Sequence, residues 1–434
     1  MDAVIIAMVC LTLYLSIGGP LPFCFGLALA IMHFLGDVSM KGMLMYGLQS
    51  IMSPVLLSIP LFVFAGGLMG ESGIANKLLD FVNIFVGKIK GGLGVVSVIT
   101  CAIIGAISGS SLTGVAAITP IMVPRMVEEG YPRGFATALV TFSSVLGLLI
   151  PPSISMITYG WVTETSILAC FVATLGPGLL VATLFSIINI YYVKDLDLKL
   201  AEEKTSITEK MSVAKNSFLG AFPALMMPVI ILGGIYGGIT TATEASAVAV
   251  VYSIFVGFCI YKGLNKKNFF NCAYDGATTV GSIMLMIMIC VSLGQTFVMI
   301  GLPQAIAEGI LSISDNKIII LLFINIIFII MGMLVSDMVS LLMVVPLLFP
   351  LTKAIGLDPI HFGAIVGVNL AMGVVTPPYA SVLYLGIRLG KSTFEDTIKP
   401  LMILLLCGYL PVLILTTYVP ALSLVLPRLL GLAD

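Results

Sequence analysis

The chain has 434 residues, of which 59% are apolar and only 9% charged, with a mean hydropathy of +1.17. An ordinary soluble domain carries about 25% charged residues, and 20 Lys and Arg with 21 Asp and Glu cannot coat a water-soluble globule of this size. The net charge of −1 gives no reason to expect nucleic acid.

In chain order, residues 3–36, 44–70, 91–124, 134–163, 165–193, 276–307 and 400–427 contain no Asp, Glu, Lys or Arg. A helix crossing a bilayer needs about 20 mainly apolar residues, so these runs predict an all-α polytopic membrane protein. The N-terminus begins Met-Asp and turns apolar without the basic region of a cleaved signal, so its first helix is expected to stay. Eight cysteines are scattered through apolar stretches without a CxxC pair and read as small buried hydrophobes.

One polar segment interrupts the pattern. Residues 194–216 include Lys194 to Lys215, with five charges of each sign, and predict a surface linker or an amphipathic helix along the membrane. Helices are expected next over 217–236 and 242–261, followed by Lys262, Lys266 and Lys267. Two spans return the chain to the same side, and these two basic segments make that side cytoplasmic. Glu244, in Thr240-Thr241-Ala242-Thr243-Glu244, is read as a first-turn cap.

A fixed offset of about 226 residues aligns the two halves. Ser110 meets Ser336, Pro120 meets Pro346, Pro124 meets Pro350, and Gly147 meets Gly373. Pro151-Pro152 meet Pro377-Pro378, Ser155 meets Ser381, and Gly160 meets Gly386. These residues determine backbone shape, so chance matching of apolar filler explains them poorly, and internal duplication is typical of secondary transporters. The expected organisation is a first repeat over 1–193, with a hairpin around 91–126 and a broken helix over 134–163. The polar linker follows, and then a second repeat over 217–434, with a hairpin around 318–352 and a broken helix over 360–389.

Enzyme chemistry finds little support. His33 and His361 lie far apart, and no paired metal ligands or nucleophile–base set is apparent. Gly386-Ile-Arg-Leu-Gly390-Lys391-Ser392 has one residue too few between its glycines for a phosphate loop and follows an apolar helical run rather than a strand. Without a nucleotide site, uphill transport would draw on an ion gradient or on another subunit.

Proline in a helix leaves the carbonyl four residues earlier without its donor. Pro151 and Pro152 would free the carbonyls of Gly147 and Leu148, and Pro377 and Pro378 those of Gly373 and Val374. Unpaired carbonyls at bilayer depth are costly. Each Gly-x-x-x-Pro-Pro turn is therefore either a cation ligand or a kink capped by water. The run Ser108-Gly109-Ser110-Ser111-Leu112-Thr113 places four hydroxyls in a charge-free stretch, as helix-packing glue or as the tip of a re-entrant hairpin. Its counterpart reads Val335-Ser336-Asp337-Met338-Val339-Ser340, with an acid inside the membrane. An Asp at a helix centre costs about 2.5–3.5 kcal/mol, so it should face a cavity or partner. Na⁺ wants several oxygen ligands. Ser108 and Ser110 with the carbonyls of Gly147, Ile150 and Pro152 would form one cage, and Ser336 with Gly373 and Thr376 its twin. Ser111, Thr113, Asp337 and Ser340 are the candidates to touch substrate. A proton carrier is the competing idea, but these sites hold a single carboxylate.

Together these residues resemble the large membrane subunit of TRAP (tripartite ATP-independent periplasmic) transporters. The resemblance is carried by Ala106-Ile-Ser-Gly-Ser-Ser111, Pro124-x-Met126, Gly130-Tyr131 and Leu146-Gly-Leu-Leu-Ile-Pro-Pro-Ser153. Gly234-Ile-Tyr-Gly-Gly238, Thr243-Glu-Ala245, Gly356-x-Asp-Pro-x-His-Phe-Gly363 and Gly373-Val-Val-Thr-Pro-Pro378 continue it. Ala242 departs from it, since the family usually has Pro there. The resemblance implies a scaffold and a mobile elevator domain carrying two inverted hairpins in the bacterial inner membrane. It also implies a separate four-helix membrane subunit, a periplasmic substrate-binding protein, and Na⁺-coupled uptake of an organic acid such as a C4-dicarboxylate or sialic acid. Two Na⁺ ions are expected, on the two residue sets named above, with Pro378 joining the second. The alternative is a Na⁺/dicarboxylate symporter of similar architecture that needs no binding protein.

Overall fold

The structure, a computed structural model, describes residues 2–36, 38–87, 89–199, 207–378 and 380–433, with backbone alone over 207–214. Among the described residues the regular elements are all helices. The chain opens with α1 (Asp2–Ser16), α2 (Leu21–Gly36), α3 (Met40–Ile51), α4 (Ser58–Glu71) and α5 (Ile74–Val86). The helices α6 (Gly92–Ser108) and α7 (Ser111–Glu129) follow, then the short chain α8 (Arg133–Ser143), α9 (Leu146–Leu149) and α10 (Ile154–Thr163), then α11 (Ile167–Tyr192). After the linker come α12 (Ile207–Tyr236), α13 (Ala242–Phe255), α14 (Lys266–Met299) and α15 (Leu302–Ile313). The chain ends with α16 (Lys317–Leu334), α17 (Asp337–Ala354), α18 (Pro359–Gly373), α19 (Ser381–Gly390), α20 (Phe394–Ile403), α21 (Leu410–Tyr418) and α22 (Ala421–Leu429).

Among the described residues, eight helical stretches are long and apolar enough to cross a membrane, and α4 with α5, bent by 72° at Ser72-Gly73, adds a ninth if the pair is one span. Local chemistry sets several boundaries. Glu244 and Thr241 form a reciprocal capping box at the start of α13, the role expected of that acid. Asp358 accepts from the Ile360 and His361 amides, with Pro359 occupying the first position of α18. Prolines 120 and 124 in α7 and 346 and 350 in α17 lie inside helices, tolerated because neighbouring helices supply partners for the freed backbone.

The helices α6 and α7 pack against each other, as do α16 and α17, each pair turning sharply at a two-residue break. Helix α6 spans about 25 Å at 1.5 Å per residue, short of a ~30 Å hydrocarbon core. Packing between the halves is crossed. The first leg of each hairpin lies on the broken helix of its own half, α6 on α9 and α16 on α18. The second leg packs on its own half's broken helix, α7 on α8 and α17 on α18, and also on that of the other half, α7 on α19 and α17 on α10. The stretch Arg133–Thr163 is the most buried of the long apolar stretches, at 94% of its apolar window.

Two expectations need correction. The cysteines are all free, but only Cys24, Cys101, Cys170, Cys272 and Cys290 are buried. Cys10 is partly buried, and Cys259 and Cys407 are exposed. The two exposed ones sit in π-helical turns, Val256–Ile260 and Leu404–Tyr409. A bundle whose exterior is apolar gives a small hydrophobe no reason to hide. The polar segment is not one continuous surface helix. Lys194 to Lys199 is turn and irregular chain held to the first hairpin, with the Lys199 amide donating to Glu129 O at 2.8 Å and Lys90 Nζ to Lys194 O at 2.7 Å. Residues 200–206, the middle of that segment, lie outside the described residues. From Ile207 the backbone is already helical and runs directly into α12.

Candidate transport site

The first hairpin breaks at Gly109 and Ser110. Gly109 adopts φ +63, a conformation glycine takes at little cost, and Ser110 is extended. Ser108 Oγ donates to Ile104 O at 3.0 Å and lies 3.4 Å from Ser110 O. This tip rests on the turn between α9 and α10. A methyl group added at Gly109 would come within 2.8 Å of Pro152 O, and one at Gly147 within 2.9 Å of Ser110 O. Gly105 and Gly147 touch through their backbones, since a methyl at Gly105 would stand 2.3 Å from the Gly147 Cα. Two glycines on facing helices therefore bring Ser108, Ser110, Gly147 and Pro152 into one neighbourhood, with Ile150 extended beside them.

The second hairpin breaks at Val335 and Ser336, both extended, and Ser336 Oγ accepts from the Val339 amide at 3.4 Å. Gly332, one turn before this tip, abuts Gly373. A methyl at Gly373 would stand 2.5 Å from the Gly332 Cα. The same glycine-on-glycine approach thus joins hairpin to broken helix in both halves. The Pro151-Pro152 and Pro377-Pro378 peptide bonds are both cis. Both helices are interrupted at the prolines, between α9 and α10 and between α18 and α19.

The freed carbonyls are less bare than the sequence suggests. Leu148 O accepts from Ser153 Oγ at 2.8 Å, Gly373 O from the Thr376 amide at 3.1 Å, and Val374 O from the Val382 amide at 3.2 Å. Thr376 Oγ1 donates to Met372 O at 2.7 Å, and Tyr384 donates to Pro378 O at 3.2 Å. Proline removes only the helical donor, and a tight turn returns other donors to the same oxygens. Each carbonyl keeps a second lone pair, so these bonds occupy one acceptor position apiece.

Between the hairpin tips and the long helices α4 and α14 lies a crevice of about 750 Å³. The tip residues 108–113 line it from the first hairpin, Asp337 and Met338 from the second, and Ser381 from the second broken helix. Opposite stand Gly66, Gly67, Gly70 and Glu71 of α4 with Asp275 and Thr279 of α14. A methyl at Gly66 would come 2.8 Å from the Ser108 Cβ, so α4 lies directly against the tip. Three carboxylates, Glu71, Asp275 and Asp337, face the crevice, and among its described lining residues there is no Lys, Arg or His.

Asp337 begins α17, where the helix dipole favours a negative charge. Its Oδ2 accepts from Ser155 Oγ at 3.2 Å, so the second hairpin tip is tied to the first broken helix.

Of the residues named from sequence, Ser108, Ser110, Ser111, Thr113 and Asp337 line the crevice. Gly147, Ile150 and Pro152 sit behind the first tip, while Ser336, Gly373, Thr376 and Pro378 lie off the crevice at the second tip and its facing turn. Ser340 is buried one turn deeper, its hydroxyl without a partner among the described residues, and is not among the lining residues. Sequence reasoning passed over Ser153, Ser155, Ser381, Glu71 and Asp275. Ser155 and Ser381 pair under the repeat offset, which is the signal the sequence carries for them. Glu71 and Asp275 gave none, because each sits at the edge of a charge-free run.

Comparison with known proteins places this geometry. The family model of the tripartite ATP-independent periplasmic transporter, DctM component, matches residues 4–422. The C4-dicarboxylate TRAP transporter large permease protein DctM of Pseudomonas aeruginosa is 36% identical over 387 residues, covering 87% of each chain. The isethionate TRAP transporter permease protein DctMQ of Oleidesulfovibrio alaskensis is 34% identical over 410 residues, covering 94% of this chain, which spans 64% of that relative. Among solved structures, the crystal structure of the Alcanivorax borkumensis YdaH transporter aligns with a TM-score of 0.57 at 14% identity. It covers 92% of this chain and 91% of that one, a likeness of fold alone. The chain is thus a multi-pass transport permease of the bacterial inner membrane, not an enzyme, and it belongs to the DctM component family of the tripartite ATP-independent periplasmic transporters.

Proposed function

We propose that this chain performs Na⁺-coupled uptake of a small organic acid anion, held in the crevice between the two hairpin tips and carried by movement of the hairpin-bearing part against a scaffold that includes α4 and α14. The observation that carries the reading is the matched pair of glycine contacts. Gly105 on Gly147 and Gly332 on Gly373 set each hairpin against a broken helix with oxygen-rich backbone nearby. Na⁺ would take Ser108, Ser110, Gly147, Ile150 and Pro152 at the first, and Ser336, Gly373, Thr376 and Pro378 at the second. Hard cations favour such hydroxyl and carbonyl oxygens. The anion would lie near Ser111 and Thr113, where α7 starts without a side-chain cap and its first amides are available to a negative group. A small four-helix membrane subunit and a periplasmic binding protein would complete the transporter.

Ion coupling supplies enough work. Two Na⁺ entering with one monoanion give roughly 1.4 kcal/mol per ion for each tenfold gradient. The net positive charge adds about 2.3 kcal/mol per 100 mV. The total of about 5 kcal/mol supports accumulation of several thousandfold without ATP. The acid-lined crevice fits this scheme, because an anion among three carboxylates is poorly held until cations arrive. The test is uptake into proteoliposomes with the small subunit and the loaded binding protein, with K⁺ replacing Na⁺. Uptake should collapse, and equal uptake in the two salts would remove the sodium coupling.

A further inference from the structure

We infer that Asp337, held by Ser155, reads a hydrogen-bond donor on the substrate, so that the preferred cargo is an organic acid bearing a hydroxyl or ammonium group rather than a plain dicarboxylate. This rests on the crevice being the substrate site proposed above. The two hairpin tips are not equivalent there. Ser111 and Asp337 are counterparts under the repeat offset, and both line the crevice. A hydroxyl can donate to an anionic head, whereas a carboxylate only accepts. One end of the crevice therefore offers donors and the other an acceptor.

The direction of the Asp337 side chain supports a role toward ligand. Its Oδ2 is taken up by Ser155 of the other half's broken helix at 3.2 Å, while the residue also lines the open crevice. That bond, with the Met338 and Asp337 amides also directed at the carboxylate, fixes its orientation and leaves an acceptor position for a ligand. Ser155 is itself buried, at 1% exposure, so it acts as a positioning residue through Asp337. The remaining carboxylates facing the crevice, Glu71 and Asp275, are exposed and lie on the α4 and α14 side. With no Lys, Arg or His among the described lining residues, a second carboxylate on the substrate would meet Asp337 with only the proposed Na⁺, whose second site lies off the crevice, to offset the repulsion. A hydroxyl or ammonium at the same place would be satisfied. Sites built around a polar partner reject analogues lacking it strongly, because the buried group is then left unpaired.

The experiment measures ligand binding to the purified permease with its small subunit, without the binding protein, in NaCl. Matched pairs differ only in the donor: isethionate against ethanesulfonate, and malate against succinate. Wild type should bind the donor-bearing member at least tenfold more tightly. Asp337→Ala should shrink that preference to about threefold or less, and Ser155→Ala should reduce it while Ser155→Thr restores it. Equal affinity within both wild-type pairs, or an unchanged preference in Asp337→Ala, overturns the inference. Na⁺-dependent uptake by wild type is followed in parallel. If uptake persists in Na⁺ while the pair preference fails, only the donor reading falls. If uptake is indifferent to Na⁺, the coupling reading falls on its own.

Discussion

Single side chains separate ion binding from mere packing, and the two tip serines do it best. Ser336 Oγ caps the Val339 amide, whereas Ser110 makes no side-chain cap at the start of α7. Ser336→Ala should therefore lose about 1 kcal/mol of stability as an N-cap, and Ser110→Ala close to none. If both also contribute oxygen to Na⁺, each should raise the Na⁺ concentration for half-maximal uptake several-fold. Melting in detergent gives the first quantity and Na⁺ titration of uptake the second. Wild-type Na⁺ curves in both variants would reduce the serines to packing. The same scale explains a misreading: counting prolines identifies carbonyls stripped of helical donors, but only coordinates reveal that Ser153, Thr376 and Val382 donate to three of them instead.

At the scale of elements, hairpin and broken helix meet through glycine faces, and that contact is sensitive to a single methyl. In Gly147→Ala the new carbon would sit 2.9 Å from Ser110 O and 3.1 Å from the Gly105 Cα. Both neighbours are backbone, so they cannot swing aside as a flexible side chain would. Overpacking of this kind costs roughly 1–3 kcal/mol, and here it should also push the tip off the turn. The expected outcome is a lower melting temperature together with uptake reduced at least tenfold. Full activity with unchanged melting would mean the contact is looser than described. The sequence carries these elements well, because glycine and proline act on their own backbone. The breaks after Ser108 and before Ile154 fall at glycine and proline, residue types that interrupt a helix by themselves. That Gly105 faces Gly147 could not be read this way, since nothing local says which glycines on two helices come together.

Across the whole molecule the crevice divides the hairpin tips from α4 and α14, and transport by relative movement needs that boundary to be smooth. Gly66, Gly67 and Gly70 present little side chain to the tip. In Gly66→Leu a branched side chain would enter a space where even a methyl meets Ser108 at 2.8 Å. Uptake should fall more than tenfold, and Na⁺ binding to the purified protein should weaken with it, because the displaced Ser108 is one of the proposed ligands. Retained transport would argue against movement of the tip across α4.

Composition alone determined that this chain lives in a bilayer, because too few charges exist to face water, and its duplicated glycines and prolines determined where the helices break. Those are properties of single segments and of their own backbones. Which segments meet was decided only in three dimensions: the reach of each hairpin's second leg to the other half's broken helix, the Ser155–Asp337 bond across 182 residues, and the acidic wall supplied by Glu71 and Asp275. In an apolar chain nearly every helix face is equally greasy, so hydrophobic pattern does not select partners. Close steric fit and a few polar contacts do, and these exist only after folding.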